Sequence, residues 1–293
     1  MQDSFLKYLQ YEKRYSNHTL TSYKNDLDQF SKHLTVHDKV LTFDNAKHPH
    51  IRSWIISLVE DGLQPKSINR KIASLRSFYK YLLKQGVIKK DPTSKIKVLK
   101  TSKKLPQFIS ENDILQLLDN SVFEDDFAGL RDKLVLELLY GTGIRLAELI
   151  SLQPANISIN NSTLKVLGKR NKERVIPFSK SLGQLIEEYV SEKKRLFTSQ
   201  ENTPFIVTND GKRVYPMFIY RLVKKYLNLF TTIDKRSPHV LRHTFATHLL
   251  NKGAELNAVK DLLGHTSLAA TQVYTHNSLE KLKSVFDQAH PKA

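Results

Sequence analysis

The sequence contains no cysteine. That excludes a disulfide framework, a thiolate zinc site and a cysteine nucleophile. It is also short of acid: 29 Asp and Glu stand against 46 Lys and Arg, a formal net charge of +17. A surplus of that size is the footprint of a polyanionic partner, most often nucleic acid. No run approaches the roughly 20 apolar residues of a membrane span. The opening stretch, MQDSFLKYLQYEKR, lacks the apolar core of a secretory signal. A cytoplasmic location without a membrane partner is therefore the expectation. There is no Gly-x-x-x-x-Gly-Lys-[Ser/Thr] loop to cradle a nucleotide, no internal repeat and no low-complexity segment.

What remains is a chain of 293 residues, 40% hydrophobic, enough for about two packed domains. Its charge is uneven. Residues 1–100 hold 19 Lys/Arg against 9 Asp/Glu, so the first third carries more than half of the surplus. That bias suits a module that grips a phosphate backbone, and it also suits a generally basic helical surface.

The first hundred residues show helical periodicity. Phe5, Leu6 and Leu9 open one stretch. Leu20, Tyr23, Leu27, Phe30 and Leu34 make a second, and Trp54, Ile55 and Leu58 a third that stops near Gly62. Ile68, Ile72, Leu75, Phe78, Tyr79 and Leu82 make a fourth, with Ser67 as expected N-cap and Gly86 as C-terminal stop. A four- or five-helix domain is predicted, with Lys66, Arg70, Lys71, Arg76, Lys80 and Lys84 on polar faces. Residues 89–107, with two prolines and many lysines, lose the periodicity. They read as an interdomain connector that can also lie along phosphates. Beyond Phe108, Ser110 with Glu111 and Asp113 marks a helix start. Residues 129–150 are helical and apolar, broken at Gly141-Thr142-Gly143. Short β-like runs (Ile157, Ile159; Leu164, Val166; Val175, Ile176) then predict a small antiparallel sheet, after which the pattern is mainly helical.

Three clusters carry chemistry. Arg145 lies on an apolar segment near a helix start, where a guanidinium is costly unless it meets a carboxylate or an anionic ligand. Glu148, one turn on, can supply the first. Lys169 and Lys172 sit at a turn between two strands. A lysine there is a solvated charge or a general acid toward a leaving oxygen. Pro238 opens a helix bearing His239, Arg242 and His243, with Leu241, Phe245 and Leu249 as its buried stripe. Gly264 ends the next helix, 258–263, with His265 at its exit, and Tyr274 follows. A zinc site from His239, His243 and His248 fails on spacing. There is no Glu base between them, and at about 100° per residue His239 and His248 face opposite ways. No metal and no cofactor are expected. Together the clusters suit a phosphodiester: two arginines for its oxygens, a histidine for a proton, and a tyrosine oxygen as nucleophile.

This assembly resembles the tyrosine recombinases, or phage integrase family, and is most similar to the Xer-type chromosome-dimer recombinases of bacteria. The resemblance spans essentially the whole chain. Ser16-Asn-His-Thr-Leu-Thr-Ser-Tyr23 through Phe30 looks like the family's opening helix motif, and 67–92 like its last helix and exit. Gly-Thr-Gly-Ile-Arg145 with Glu148 matches the first arginine motif, and Gly168-Lys169-Arg-Asn-Lys-Glu-Arg174 the hairpin lysine motif. His239-Val-Leu-Arg242-His243, Leu-Leu-Gly-His265 and Val-Tyr274-Thr-His match the remaining three, in order. Arg170 departs from the glycine common in relatives.

The resemblance implies a mainly α fold with a small antiparallel sheet. A helical core-binding, SAM-like domain (1–96) is joined by a linker (97–107) to an α+β catalytic domain (108–293). The two would clamp duplex DNA, with Lys66, Arg70, Lys71, Arg76, Lys80, Lys103, Lys104 and Lys172 on the backbone and a strong salt dependence. It also implies that Arg145 and Arg242 clamp the scissile phosphate, while His265 donates a hydrogen bond to it. Tyr274 attacks to leave a 3′-phosphotyrosyl link, His239 takes its proton, and Lys169 protonates the leaving 5′ oxygen. The expected activity is site-specific recombination at a dif-like site. The expected assembly is a homo- or heterotetramer with a paralogous recombinase on DNA, and a DNA translocase is a candidate activator. The C-terminal helix, 278–288, either packs on its own domain or docks into a neighbouring subunit, as the family suggests. The alternatives are a mobile-element integrase, a type IB topoisomerase sharing the chemistry, and a non-catalytic DNA-binding protein of the same fold.

Overall fold

The computed structural model describes residues 1–37, 41–102, 107–119, 122–168, 173–197, 204–264, 283–286 and 288–291. The chain forms two compact units, Met1–Lys104 and Leu105–Ala293.

In the first unit, α1 (Gln2–Lys7) continues into a π turn, Tyr8–Glu12, and is followed by α2 (Asn17–His37), α3 (His48–Glu60) and α4 (Pro65–Lys84). The helical periodicity is realised directly. Phe5, Leu27, Phe30, Trp54, Ile72, Leu75, Phe78 and Leu82 meet in one core, with Phe5 edge-on to Phe78 at 5.2 Å and Phe30 against Trp54 at 5.1 Å. Helix α4 starts at Pro65 with Gln64 as N-cap, three residues before the expected N-cap Ser67. Proline already has the φ of a first helical residue and no N–H to satisfy, so the helix begins on it.

One polar contact inside this unit departs from the sequence reading. Asp26 of α2 is fully buried. It accepts from both Nη atoms of Arg70, from the Lys71 ammonium at 3.1 Å and from the Ser74 hydroxyl at 2.7 Å. Lys71 is thus not on the open polar face: its side chain is 7% exposed, and it also bonds Gln29. A buried ammonium is tolerated only with such partners. Arg70 remains about half exposed while tied to Asp26. Arg76 donates to the Ile96 carbonyl. Lys66 and Lys80 are exposed, whereas Lys103 and Lys104 lie outside the described residues. Residues 96–99 are strapped onto α4. The Asn69 amide donates to the Leu99 carbonyl at 2.9 Å, its oxygen accepts the Leu99 N–H at 2.8 Å, and Ile96 is buried. The start of the expected connector therefore belongs to the first unit's packing.

The second unit contains α5 (Glu111–Asp119), α6 (Phe127–Gly141), α7 (Leu146–Ser151), β1 (Ile157–Ser158), β2 (Thr163–Leu167), β3 (Glu173–Pro177), α8 (Lys180–Leu196), α9 (Pro216–Phe230), α10 (Pro238–Asn251) and α11 (Leu256–Leu263). The strands make an antiparallel sheet in the order β1-β2-β3. From Leu134 to Gly141 helix α6 is buried on every side, and apart from Glu137 its residues there are apolar or aromatic, as expected of a central helix. Ser110 accepts the Asp113 N–H and caps α5. His248 of α10 bridges the Tyr140 hydroxyl and the Ile109 carbonyl, each at 3.0 Å. Its Nε2–H must donate to that carbonyl, so Nδ1 accepts from the tyrosine. Burial lowers its pKa in keeping with a neutral ring. Phe286, Ala289 and His290 are buried in this same unit, with the His290 ring stacked on Phe286 and tilted against Tyr140. The described part of the C-terminal helix thus packs on its own domain. Among the described residues no helix is long and apolar enough to cross a membrane.

Removing Asp26 strands Lys71 without a carboxylate. Asp26→Ala is expected to cost the first unit about 3–5 kcal/mol. Trp54, the single tryptophan of the chain, reports that unit alone, so its fluorescence in urea unfolding measures the loss. An unchanged midpoint would show that the Asp26 contacts contribute nothing net.

Candidate active site

The candidate site is built where α7, β3, α10 and α11 converge. The chain leaves α6 through Thr142 and Gly143. Gly143 has φ +59°, and a Cβ there would stand 2.5 Å from the Phe245 ring and 3.1 Å from Leu263. Only glycine fits both the left-handed turn and the close approach. The turn delivers Arg145 to the N-cap of α7 in an extended conformation. Its backbone N–H donates to Glu148 at 2.6 Å, and its guanidinium Nη1 to the same carboxylate at 2.8 Å. Glu148 thereby occupies an orphan donor at the helix start, where negative charge is favoured.

Arg242 is on α10, one turn after His239, and is 8% exposed. Its Nη1 donates to the Gly143 carbonyl and its Nη2 to the Leu263 carbonyl. Arg145 donates its Nη2 to the Gly264 carbonyl at 3.0 Å. The fold therefore brings Arg145 and Arg242, which are far apart in sequence, to adjacent carbonyls at the end of one helix. His239 lies exposed on the first turn of α10. Lys169, Lys172, His265 and Tyr274 lie outside the described residues. Gly264, which immediately precedes His265, is the left-handed C-cap of α11 with φ +63°.

Arg174 is the residue that sequence reasoning missed. It is the second residue of β3, opposite Val166 in the register, and shares the strand face of Ile176. That alternation was the available signal: a charge at a position whose parity is buried. The Arg174 side chain is 4% exposed. It makes a fork on Glu148, Nη1 to Oε1 at 2.7 Å and Nη2 to Oε2 at 2.8 Å, and donates Nε to the Leu262 carbonyl at 2.9 Å. So one carboxylate serves two guanidiniums.

The electrostatics follow. Burial raises the Glu148 pKa, but hydrogen bonds and charge from Arg174, then from Arg145, outweigh it and hold the carboxyl at about 2. Burial, followed by the charges of Arg145 and Arg174, draws Arg242 down to about 9, still a cation at neutral pH. Among the described residues three guanidiniums gather beside one carboxylate, a positive surplus suited to an anion. Arg145 is the most open of the three, with a side chain 23% exposed. Its two side-chain bonds use two of its five N–H donors and leave the others for a ligand. Among the described residues no cluster of three or more His, Asp or Glu is placed to hold a metal ion.

A carboxyl held below its ordinary value of 4.5, at about 2, stabilises the fold above pH 4.5 and ceases to do so as pH falls through 2. Glu148→Gln leaves Arg174 buried without its anion, at a cost of about 3–5 kcal/mol near pH 7. The gap between wild type and variant, followed by far-UV circular dichroism in urea, should narrow as the medium is acidified below pH 4.5. A gap independent of pH would exclude this charge linkage.

Residues 107–281 match the phage integrase family, and residues 3–86 match the phage integrase N-terminal SAM-like domain. The tyrosine recombinase XerC of Chlorobaculum parvum is 36% identical, with 99% of this chain and 94% of that protein covered. The tyrosine recombinase XerD of Oceanobacillus iheyensis is 33% identical, over 99% of this chain and 98% of that one. Among solved structures, the XerH site-specific recombinase bound to palindromic difH substrate, in a post-cleavage complex, has a TM-score of 0.73 at 21% identity, covering 97% of this chain and 83% of that one. The Tn1549 transposon integrase in complex with circular intermediate DNA reaches 0.71 at 19% identity, covering 96% and 97%. These two likenesses concern the fold. The motifs in order, the two-part match along the chain and the identity to full-length relatives together establish that this chain belongs to the phage integrase family, the tyrosine recombinases that break and rejoin DNA.

Proposed function

We propose that this chain carries out site-specific recombination on duplex DNA at a dif-like site, resolving chromosome dimers. The observation that carries the reading is the pair Arg145 and Arg242, held at neighbouring carbonyls with a positive surplus around them. Two guanidiniums can neutralise the non-bridging oxygens of one phosphodiester and the charge that grows on them in the transition state. No metal is called on for that work.

In the proposed step the Tyr274 oxygen attacks phosphorus in line and its proton passes to His239. His265 donates a hydrogen bond to a non-bridging oxygen. The bond from phosphorus to the 5′ oxygen breaks, and Lys169 supplies the proton to that oxygen. A 5′-hydroxyl from the partner duplex then reverses the sequence. The phosphotyrosyl link retains the bond energy, so no nucleotide is consumed. The proposal includes four protomers on two duplexes, all of this chain or shared with a paralogue. Its support is the similarity to both XerC and XerD. Lys66 and Lys80, exposed on α4, are proposed as backbone contacts; Lys71 is not. The second reading, open to any member of the family, is a mobile-element recombinase.

Nicked suicide duplexes test this. With EDTA and no nucleotide, wild type should form a covalent DNA adduct and Tyr274→Phe none. An adduct in Tyr274→Phe would remove Tyr274 as nucleophile. Lys169→Ala should bind DNA yet cleave about 100-fold more slowly, and unchanged cleavage would remove the general-acid role. Adduct on dif-like duplexes but not on element ends supports the chromosomal reading, and the opposite pattern supports the second.

A further inference from the structure

Three consecutive carbonyls close the last turn of α11, and each accepts from a different guanidinium. Leu262 accepts from Arg174, Leu263 from Arg242 and Gly264 from Arg145. These are the orphan acceptors at a helix C-terminus, where the helix dipole favours cations. Two of those arginines, 145 and 242, have donors to spare for a ligand. Arg174 differs. Its side chain is 4% exposed, and all three of its nitrogens are committed, two to Glu148 and one to Leu262.

We propose that Arg174 is a positioning residue for strand cleavage: it sets Arg145 and the exit of α11 without touching the DNA. This rests on the reading under Proposed function. Arg174 grips both oxygens of Glu148, the carboxylate that orients Arg145 through its guanidinium and its backbone N–H. Without the fork Glu148 is free to turn, and Arg145 follows it. Arg174 also lies flat against Gly264, where a Cβ would meet its Cδ at 3.1 Å and its Nη1 at 3.2 Å. The residue that leads into position 265 is therefore packed on this side chain. A single guanidinium thus couples one phosphate-facing arginine to the segment that bears the next candidate catalytic group.

The fork explains the residue type. A planar guanidinium supplies parallel N–H donors for a carboxylate plus a third at Nε, whereas an ammonium is a point charge that cannot span all three acceptors. If stability alone were served, an apolar pair of similar volume would do as well as a buried ion pair.

Single-turnover cleavage of a suicide duplex at saturating DNA, with Kd measured separately, tests the idea. Arg174→Lys keeps the charge and loses the fork. It is expected to melt cooperatively, to bind DNA within about threefold of wild type, and to cleave about 100-fold more slowly. A duplex with a methylphosphonate at the scissile position lacks one oxygen charge and depends less on aligned guanidiniums. On it the deficit should shrink to about tenfold or less. Cleavage by Arg174→Lys at the wild-type rate overturns the proposal. So does a deficit equal on both substrates and matched by lost affinity, which marks a purely structural staple. Should Arg174→Lys not fold, the double variant Arg174→Met with Glu148→Gln removes both buried charges together. Slow cleavage with unchanged Kd then supports the proposal, and wild-type cleavage overturns it. The parent reading fails separately: wild type forms no adduct, or Tyr274→Phe forms one, whatever Arg174 does.

Discussion

A carboxylate taken out of water must have its lone pairs occupied, and among the described residues Glu148 meets that demand with two arginine side chains and one backbone N–H. Much of the site depends on this. The carboxylate draws Arg174 inward on β3, holds Arg145 at the start of α7, and so ties the sheet to the helix that follows the glycine turn. The charge surplus left over is not a defect of packing. Among the described residues three guanidiniums gather beside one carboxylate, and the proposed phosphodiester, met by Arg145 and Arg242, would bring the missing negative charge.

Helix α11 is the second half of the arrangement. Its last carbonyls would face water or remain unsatisfied if the helix simply ended. Here they index the three arginines at successive residues. Gly264 terminates the helix in a left-handed conformation and leaves room for Arg174. Gly143 does the corresponding work at the end of α6, where its carbonyl accepts from Arg242. The glycines of two motifs thus admit two close approaches, the Phe245 ring at Gly143 and the Arg174 side chain at Gly264.

The basic surplus divides in the same manner. Part of it is committed to the fold: Lys71, buried, anchors α4 to α2 through Asp26, and Arg76, though exposed, ties the Ile96 carbonyl to α4. Net charge alone cannot distinguish such cations from those that face a polyanion, because both count equally in composition. Helical parity does not distinguish them either. Lys71 neighbours Arg70 on the same helix, and its burial depends on an aspartate 45 residues earlier in the chain.

The amino-acid sequence by itself determined the local elements and the inventory of chemistry. Periodicity placed the helices of the first unit to within a few residues, alternation placed the sheet, and ordered motifs named the family and its candidate residues. These are properties of short windows, where spacing is geometry. Only the tertiary structure decided which cations meet. Arg174 finds Leu262 across 88 residues, Arg242 finds Gly143 across 99, and Arg145 finds Gly264 across 119. No local pattern encodes a contact of that range. It follows from the packing of α6, α10 and α11 into one core, which brings their ends, and the charges on them, to a single place.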